Sequence, residues 1–413
     1  MNASSECRRL LAIYTGGTFG MLKNDKGVLV PQKDIEAVIR RLPQLHDAAY
    51  WKQHLEVDED SKDYLVLPDG KDTTMKVFYK ILEYEELKDS SDFNVDDWIK
   101  MARDIKKYYD EYDGFVVLHG TDTTAYGASA LSFMLESIGK TVVLTGAQVP
   151  IFQPRSDGLN NFLSALLIAA THHIPEVTVF FGAKLFRGNR LSIGTEKSFK
   201  EYFQKVPDSN PDQDRIDLVK KVSNTRIYGF DSPNYPALLE AKSTLEWDPH
   251  GPPSELPKAR DCTLHDQLCR NVYVLKVAPT ITGDIIKAIC RPPIEGDVSQ
   301  TSIRPGVILE TLGNGNMPIK RREIYDELRA AVRSGIIIVN VTQCINGTVL
   351  SKPLYETGRL VAECGVVPAY DMTQEAAMAK LAYVLTKKEL TYDQKVQVGL
   401  PRMYAVTGPN RYT

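Results

Sequence analysis

Short, uninterrupted apolar runs alternate with segments of helical spacing in the first half of the chain. Four of the apolar runs stand at residues 10–13, 115–118, 141–145 and 177–181. Apolar positions with helical spacing occur at residues 33–42, 98–112, 125–138 and 160–171. Asn94 is predicted to cap the second of these helices, because Asp96 and Asp97 stand in its first turn. Continuous apolar strands between helices are typical of a parallel sheet covered on both faces.

The alternation stops in the middle of the chain and then resumes. Residues 191–235 are charged and lack an apolar period, and residues 247–268 form a second irregular, proline-containing stretch. Segments of this kind are functional loops, linkers or disordered pieces. Alternation returns with predicted strands at residues 272–277, 307–310 and 336–341 and helices at residues 284–290, 321–334 and 374–386. The pattern therefore predicts a second, smaller α/β domain.

Composition narrows the class of protein without naming a function. A chain of 413 residues is long enough for two or three domains. The net charge of -3 gives no reason to expect a nucleic-acid or membrane partner. The first residues lack a signal peptide's apolar stretch, so a cytoplasmic location is expected. The six cysteines include no C-x-x-C pair, and no Cys/His cluster has zinc spacing, so free thiols and no metal are expected.

Two glycine-flanked threonine motifs follow two of the predicted strands. The first threonine turn is Tyr14-Thr15-Gly16-Gly17-Thr18, and the second threonine turn is His119-Gly120-Thr121-Asp122-Thr123. Ligands of open α/β sheets bind beyond the carboxyl ends of the strands. The two turns are therefore expected to face one pocket.

Threonine chemistry is one interpretation of these turns. A threonine hydroxyl attacks carbonyl carbon once a base removes its proton, and Thr121 stands beside Asp122. Gly16 and Gly17 let backbone N–H groups approach a substrate before Thr18. Taken alone, each motif is more typical of an ordinary turn. A phosphate-binding loop is a further alternative, but the first turn contains neither G-x-G-x-x-G nor G-K-[ST].

Several further motifs, in one order along the chain, resemble the L-asparaginases of the bacterial type I and animal cytosolic group. Besides the two threonine turns, they are Asp89-Ser90-Ser91-Asp92, Leu144-Thr145-Gly146-Ala147-Gln148, Phe186-Arg187-Gly188-Asn189-Arg190, Gly315-Asn316 and Asp371-Met372-Thr373-Gln374-Glu375-Ala376. The similarity extends from about residue 10 to residue 388.

The resemblance implies hydrolysis of L-asparagine to L-aspartate and ammonia without a cofactor or metal, by a cytoplasmic homodimer or homotetramer. It implies that Thr18 is the nucleophile and that Thr121 and Asp122 belong to the proton-handling group. It also implies that Asp89, Ser90 and Ser91, together with Thr121 and Asp122, hold the substrate's amino and carboxylate groups. Tyr355 matches a tyrosine placed near the nucleophile, and Asn316 matches a residue contributed by a neighbouring subunit.

The resemblance also implies a base lysine three residues after the Arg187-Gly188-Asn189-Arg190 motif. When the chain is aligned without gaps, Ile193 stands at that position. An insertion at about residues 191–218 restores the match, because Phe230 and Ser232-Pro233-Asn234 then align downstream and Lys221 takes the lysine's place. Such an insertion adds little loop-closure entropy, so it is compatible with the fold. In the alternative interpretation the base is Lys197 or absent, and the lysines of this segment are solvated loop charges.

The resemblance also implies the domain organisation. A larger N-terminal parallel-sheet domain spans residues 8–240 and a smaller, flavodoxin-like C-terminal α/β domain spans residues 271–390. A linker at residues 241–270 and a tail at residues 391–413 complete the prediction. Two other functions stay open at this point: a catalytically impaired paralogue that binds asparagine or aspartate, and a related glutaminase or tRNA-linked amidase. The near-neutral charge argues against the tRNA partner.

Overall fold

The structure is a computed structural model. It describes residues 7–56, 58, 61–69, 75–193, 230–232, 234–235, 237–241, 245–247, 261–290, 304–353 and 355–396. Lys197 and Lys221 lie outside these residues, as do most of the predicted insertion and residues 397–413.

A nine-stranded sheet forms the centre of the N-terminal domain. Its order is β14-β13-β10-β9-β8-β6-β1-β5-β4, with parallel pairing from β9 to β5 and antiparallel strands at both edges. The bounds are β1 Cys7–Gly16, β4 Leu65–Val66, β5 Lys76–Lys88, β6 Gly114–Leu118, β8 Thr141–Thr145, β9 Val177–Phe181, β10 Lys184–Arg187, β13 Leu239–Ala241 and β14 Leu245–Trp247. Three two-stranded ladders accompany it: β2 Met21–Lys23 with β3 Leu29–Pro31, β7 Leu135–Glu136 with β15 Thr263–Leu264, and β11 Ser192–Ile193 with β12 Phe230–Asp231.

Helices cover both faces of this sheet around its central strands. Strands β6 and β8 are buried throughout, as expected for strands with no solvent-facing side. One face packs against α3 and α4, and the other packs against α1 and α5. The helices of this half are α1 Ile35–Ile39, α2 Ala48–His54, α3 Val95–Lys107, α4 Thr124–Met134 and α5 Gly158–Thr171.

A separate parallel sheet of four described strands, in the order β16-β17-β18-β19, forms the C-terminal domain. Its strands are β16 Val272–Lys276, β17 Gly306–Thr311, β18 Ile337–Thr342 and β19 Val367–Pro368. Its helices are α6 Gly283–Ile289, α7 Arg322–Arg333, α8 Glu356–Glu363, α9 Gln374–Thr386 and α10 Tyr392–Gln394. Helices α6 to α8 cover one face, and α9 covers the other.

The two domains share one hydrophobic core. Helix α9 packs on α4 of the N-terminal domain as well as on its own sheet. Leu131 of α4, Leu381 of α9 and Ile308 of β17 belong to the same cluster of buried side chains. Burial of apolar surface contributes about 25 cal/mol per Å² and therefore stabilises the contact between the domains as well as each domain.

The α/β class and the two-sheet organisation predicted from the sequence are confirmed. The capping prediction is also confirmed, since Asn94 and Asp97 form a reciprocal capping box at the start of α3. Helix α9 has the predicted bounds. The helix predicted at residues 125–138 was wrong at its end: α4 stops at Met134, and the next two residues pair with β15.

Two further differences concern segments between the predicted elements. The long strand β5 was not predicted, although it pairs with β1 and forms part of the parallel centre. The segment predicted as a linker, residues 241–270, contributes β14 and β15, which pair with strands of the N-terminal domain. No helix among the described residues is both long and apolar enough to cross a membrane.

Candidate active site

Strand pairing brings the two threonine turns to the same edge of the large sheet. Strand β1 lies between β5 and β6 and runs parallel to both. Tyr14 pairs with Leu118, and Gly16 pairs with Lys88, so all three strands end at nearly the same level. The residues that follow these strands therefore meet at one carboxyl edge, where ligands of α/β sheets bind.

The first threonine turn depends on two glycines with positive φ. Gly16 has φ +119° and Gly17 has φ +73°, conformations that side chains disfavour. Gly17 N donates to Lys88 O at 2.9 Å, which ties the turn to the end of β5. Thr15 is buried, and its Oγ1 donates to Leu118 O at 2.9 Å. Thr18, the next residue after Gly17, begins a 3-10 turn and stays partly exposed.

The backbones of the two threonine turns are in direct contact. A Cβ placed on Gly17 would lie 2.5 Å from Gly120 Cα and 2.7 Å from Gly120 N. Thr18 and Thr121 each follow one of these glycines. Thr121 is buried, whereas the neighbouring Asp122 is exposed. The absence of both side chains is therefore what allows the backbones of the two threonine turns to approach so closely.

Residues 89–91 complete the same group. Ser90 is buried, and a Cβ on Gly120 would lie 2.5 Å from its Oγ. Thr123 Oγ1 donates to Ser90 O at 2.8 Å. Asp89 and Ser91 are exposed, and the Ser91 backbone N–H and hydroxyl both donate to Asp89 Oδ1, at 3.0 and 2.9 Å. A carboxylate and two hydroxyls thus stand beside the threonine turns.

The end of β8 lies at the same carboxyl edge, next to the second threonine turn. A Cβ on Gly146 would lie 2.3 Å from His119 O and 3.8 Å from Thr121 Cγ2. Strand β8 pairs with β6 up to Thr145, so Gly146 is the first residue beyond the ladder. The second threonine turn is therefore held between the ends of β1, β5 and β8.

The buried imidazole of His119, the first residue of the second threonine turn, is hydrogen-bonded within that turn. Its Nδ1 lies 2.7 Å from Gly120 O, and Thr124 Oγ1 donates to the same carbonyl at 2.7 Å. Because a carbonyl only accepts, Nδ1 carries the proton in this arrangement. Burial is the main cause that lowers the pKa of His119 to about 4; the hydrogen bond with Gly120 and the charge of Asp97 oppose it.

This buried histidine predicts acid sensitivity of the fold. The pKa is about 4 in the folded state and about 6.5 in an unfolded chain, so the stabilisation is complete above pH 6.5 and is lost as pH falls toward 4. The wild type should lose unfolding free energy as the pH falls from about 7.5 to about 5. We expect His119→Gln to make that loss smaller by about 2 kcal/mol. Urea titrations at both pH values measure it. The exposed His54→Gln variant is the control and should keep the wild-type pH dependence.

Asn316 and Tyr355, expected near the site from the resemblance, lie in the C-terminal domain. Asn316 Oδ1 accepts from Thr357 Oγ1 at 2.8 Å, close to Gly358. Tyr355 directly precedes α8 and its side chain is 60% exposed. The two residues are therefore neighbours on one end of α8, and their described contacts are with that domain.

The predicted base Lys221 lies outside the described residues, but both ends of the segment that carries it are described. Ser192 pairs with Asp231 and Ile193 pairs with Phe230 in the β11–β12 ladder. The chain thus leaves and re-enters the N-terminal domain at adjacent points. Arg190, just before β11, forms an ion pair with Asp371. Both residues stand in motifs that resemble the family, but the sequence predicted no role for either.

The group at the carboxyl edge suits attack on a carbonyl carbon by a hydroxyl. It combines two threonines with an exposed carboxylate at Asp122, while the exposed Asp89 offers a negative charge to a cationic group of a ligand. Within the described ranges, no three His, Cys, Asp or Glu side chains are grouped so that they could hold a metal ion.

Fold and site together define a two-domain α/β protein that gathers hydroxyl side chains at the carboxyl edge of its larger sheet. The family profile described as Asparaginase, N-terminal, matches residues 9–207, and the one described as Glutaminase/Asparaginase C-terminal domain matches residues 271–397. L-asparaginase 1 of Escherichia coli (strain K12) is 35% identical over 386 residues, which cover 92% of this chain and 93% of that protein. The chain belongs to the asparaginase family.

Solved structures and animal relatives agree with this membership. The crystal structure of L-asparaginase I from Vibrio cholerae has a TM-score of 0.73 and 33% identity, covering 98% of this chain and 99% of its own. L-asparaginase of Dirofilaria immitis is 41% identical and the 60 kDa lysophospholipase of Homo sapiens is 39% identical. The chain spans only 57% and 60% of those two proteins, although the matches cover 92% and 95% of the chain.

Proposed function

We propose that this protein hydrolyses L-asparagine to L-aspartate and ammonia. The observation that carries the proposal is the contact between the two threonine turns, where Gly17 and Gly120 meet and Thr18 and Thr121 follow them. The neighbouring residues 89–91 supply groups for an amino acid's charged end. Relatives named L-asparaginase, 35% to 41% identical over 92% of the chain, support the choice of substrate.

In the first half of the reaction, Thr18 acts as the nucleophile. Its Oγ attacks the side-chain amide carbon while the hydroxyl proton passes to the group formed by Thr121, Asp122 and Lys221. Backbone N–H groups of the glycine-containing turns stabilise the oxyanion. The C–N bond then breaks, ammonia leaves with a returned proton, and an aspartyl ester remains on Thr18. A lysine in this role needs a pKa lowered toward neutrality.

In the second half, water attacks the ester and releases aspartate, and Thr18 recovers its proton. Throughout, Asp89 pairs with the substrate's ammonium group. Ser90 and Ser91, with Thr121 and Asp122, hold the carboxylate and orient the amide. Correct positioning of this kind supplies several kcal/mol of the barrier reduction, typically about 7–11 kcal/mol for a fully oriented reaction.

The C-terminal residues contribute through self-association. Asn316 of one subunit reaches the site of its neighbour in a homodimer or homotetramer, and Tyr355 lies near the nucleophile. The exposed position of Tyr355, 60% accessible in the single chain, supports a role that is completed by another surface. Asparaginase chemistry on a free amino acid also suits a cytoplasmic location, where asparagine is available.

Ammonia release from asparagine and glutamine by the purified protein tests the proposal. We expect kcat/KM for asparagine to exceed that for glutamine by at least about tenfold, because one extra methylene changes transition-state binding by about 1–3 kcal/mol. Equal rates would favour a glutaminase. Lysophosphatidylcholine is a useful third substrate, given the name of the human relative. Its hydrolysis without asparaginase activity would contradict the proposal.

A catalytically impaired binding protein is the second candidate, since the insertion interrupts the chain between Arg190 and the lysine match. Calorimetry separates the two possibilities. Heat of asparagine binding with no ammonia release would favour the binding protein, whereas turnover under the same conditions supports the enzyme.

A further inference from the structure

Two buried ring nitrogens of the N-terminal domain have no hydrogen-bond partner among the described residues. They are Nε1 of Trp98, in helix α3, and Nε2 of His119, in the second threonine turn. Trp98 is 6% exposed and His119 is 1% exposed, so both nitrogens are shielded from bulk water. Native structures almost always pair such groups, because an unpaired one keeps its full desolvation cost.

The two nitrogens have complementary hydrogen-bonding roles. The indole nitrogen of Trp98 can only donate. His119 donates from Nδ1 to Gly120 O, so its Nε2 carries no proton and can only accept. Burial, which lowers the pKa of His119 to about 4, keeps the ring neutral at ordinary pH. One small group that accepts from Trp98 and donates to His119 would therefore pair both nitrogens.

Gly127 of helix α4 faces both nitrogens. A Cβ placed on Gly127 would lie 3.1 Å from His119 Nε2, 3.5 Å from Trp98 Nε1 and 3.6 Å from Trp98 Cδ1. The ring of Phe93 meets the His119 ring edge-on at 4.7 Å and so covers it from another side. A methyl group that glycine lacks corresponds to about the space that one water molecule needs.

We propose that Trp98 and His119 bind one buried water molecule beside Gly127. The water accepts a hydrogen bond from the indole N–H of Trp98 and donates one to Nε2 of His119. Buried waters typically make two to four hydrogen bonds to polar groups that have no other partner. The inference does not depend on asparagine hydrolysis, because it invokes no step of that reaction.

The water completes a hydrogen-bond chain between helix α3 and the second threonine turn. The chain runs from Trp98 through the water to His119, and from His119 Nδ1 to Gly120 O at 2.7 Å. The backbone of Gly120 is in turn the part of this turn that meets Gly17 of the first threonine turn. By donating to Nε2, the water stabilises the tautomer of His119 that binds Gly120.

Two substitutions at position 127 test the site through stability. Gly127→Ser places a hydroxyl beside both nitrogens, and this hydroxyl replaces the water by accepting from Trp98 and donating to His119. Gly127→Ala fills the same space with a methyl group that pairs with neither. In urea titrations we expect the unfolding equilibrium constant of Gly127→Ser to be about five- to tenfold smaller than that of Gly127→Ala.

Helix propensity predicts the opposite order, since alanine favours helices more than serine does. Ala330→Ser, at an exposed position of helix α7, is the control for this preference and should raise the unfolding equilibrium constant by less than about threefold. Trp98→Phe is the matched background, because it removes the donor and keeps an aromatic ring. There the advantage of Gly127→Ser over Gly127→Ala should shrink to about twofold or less.

Nuclear magnetic resonance detects the water in the wild-type protein itself. Labelling with ¹⁵N-tryptophan gives three indole N–H signals, because the chain has three tryptophans, and Trp98→Phe identifies the signal of Trp98. We expect this N–H to show a cross-relaxation peak with a long-lived water in the wild type. The peak should be lost in Gly127→Ala.

Three results would overturn the inference. They are a wild-type spectrum without a water peak at the Trp98 N–H, a Gly127→Ala variant at least as stable as Gly127→Ser, and an undiminished advantage of Gly127→Ser in the Trp98→Phe background. A direct hydrogen bond between the two rings would give the first result. Because the wild-type spectrum needs no position-127 variant and no asparagine, it decides the question even if Gly127→Ala does not fold or the proposed function fails.

Discussion

Thr18→Ala is expected to lower kcat for asparagine by at least about a thousandfold, because it removes the attacking oxygen and leaves only binding and oxyanion stabilisation. KM should change little, since residues 89–91, which bind the charged end of the substrate, are untouched. Thr18 is partly exposed in its 3-10 turn, so removing its hydroxyl leaves no buried polar group unpaired. The folded state should therefore keep its stability. Ammonia release per folded enzyme measures the effect.

Thr18→Ser and Thr15→Ala are the controls for this variant. Serine keeps a hydroxyl at the same atom and should retain measurable turnover. Thr15 belongs to the same turn, but its Oγ1 is committed to Leu118 O. Thr15→Ala should lose about 1–2 kcal/mol of stability and keep most of the activity. Activity of Thr18→Ala within about tenfold of the wild type would remove Thr18 from the mechanism.

Gly17→Ala is expected to lower both stability and activity. Its Cβ would lie 2.5 Å from Gly120 Cα and meet backbone that no rotamer change can move. The two threonine turns would have to separate, and a displacement of about 1 Å costs on the order of a hundredfold in rate. We expect at least that loss of kcat and more than about 3 kcal/mol of unfolding free energy. Urea unfolding and steady-state kinetics measure the two effects.

Gly27→Ala isolates the contribution of backbone strain. Gly27 has φ +75°, close to the +73° of Gly17, but a Cβ there would meet no atom within 4 Å. It should cost only about 1–2 kcal/mol, the penalty for a left-handed conformation, and leave kcat unchanged. Equal effects of the two substitutions would show that the contact between Gly17 and Gly120 has no catalytic consequence.

The sequence was sufficient to place the two threonine turns at one sheet edge. Each follows a short run of apolar residues, a composition typical of strands buried on both faces. Parallel pairing then aligns Tyr14 with Leu118, as the structure shows. The position of Asp89 could not be derived in this way, because β5 was missed. Its buried positions, such as Val77 and Tyr79, alternate with half-exposed ones near the sheet edge, a period-two signal that charged residues interrupt.

Contacts between distant segments account for what the sequence could not predict. The meeting of Gly17 with Gly120 depends on strand order, which no local pattern encodes. Asp371 is separated by more than a hundred residues from Arg190 and Tyr235, which it joins. The role of Lys221 stays a prediction, since it depends on the alignment across the insertion. Hydrophobic periodicity reports which face of an element is buried but carries no information about which polar side chains meet there.

Partition of the acyl enzyme between water and hydroxylamine tests most directly whether Thr18 carries the aspartyl group. The account predicts that the wild type forms β-aspartyl hydroxamate from asparagine in the presence of hydroxylamine. Hydroxamate and aspartate together should equal the ammonia released, and Thr18→Ala should form neither product. Ammonia release matched by aspartate alone at every hydroxylamine concentration, or hydroxamate formation by Thr18→Ala at the wild-type rate, would contradict the threonine mechanism.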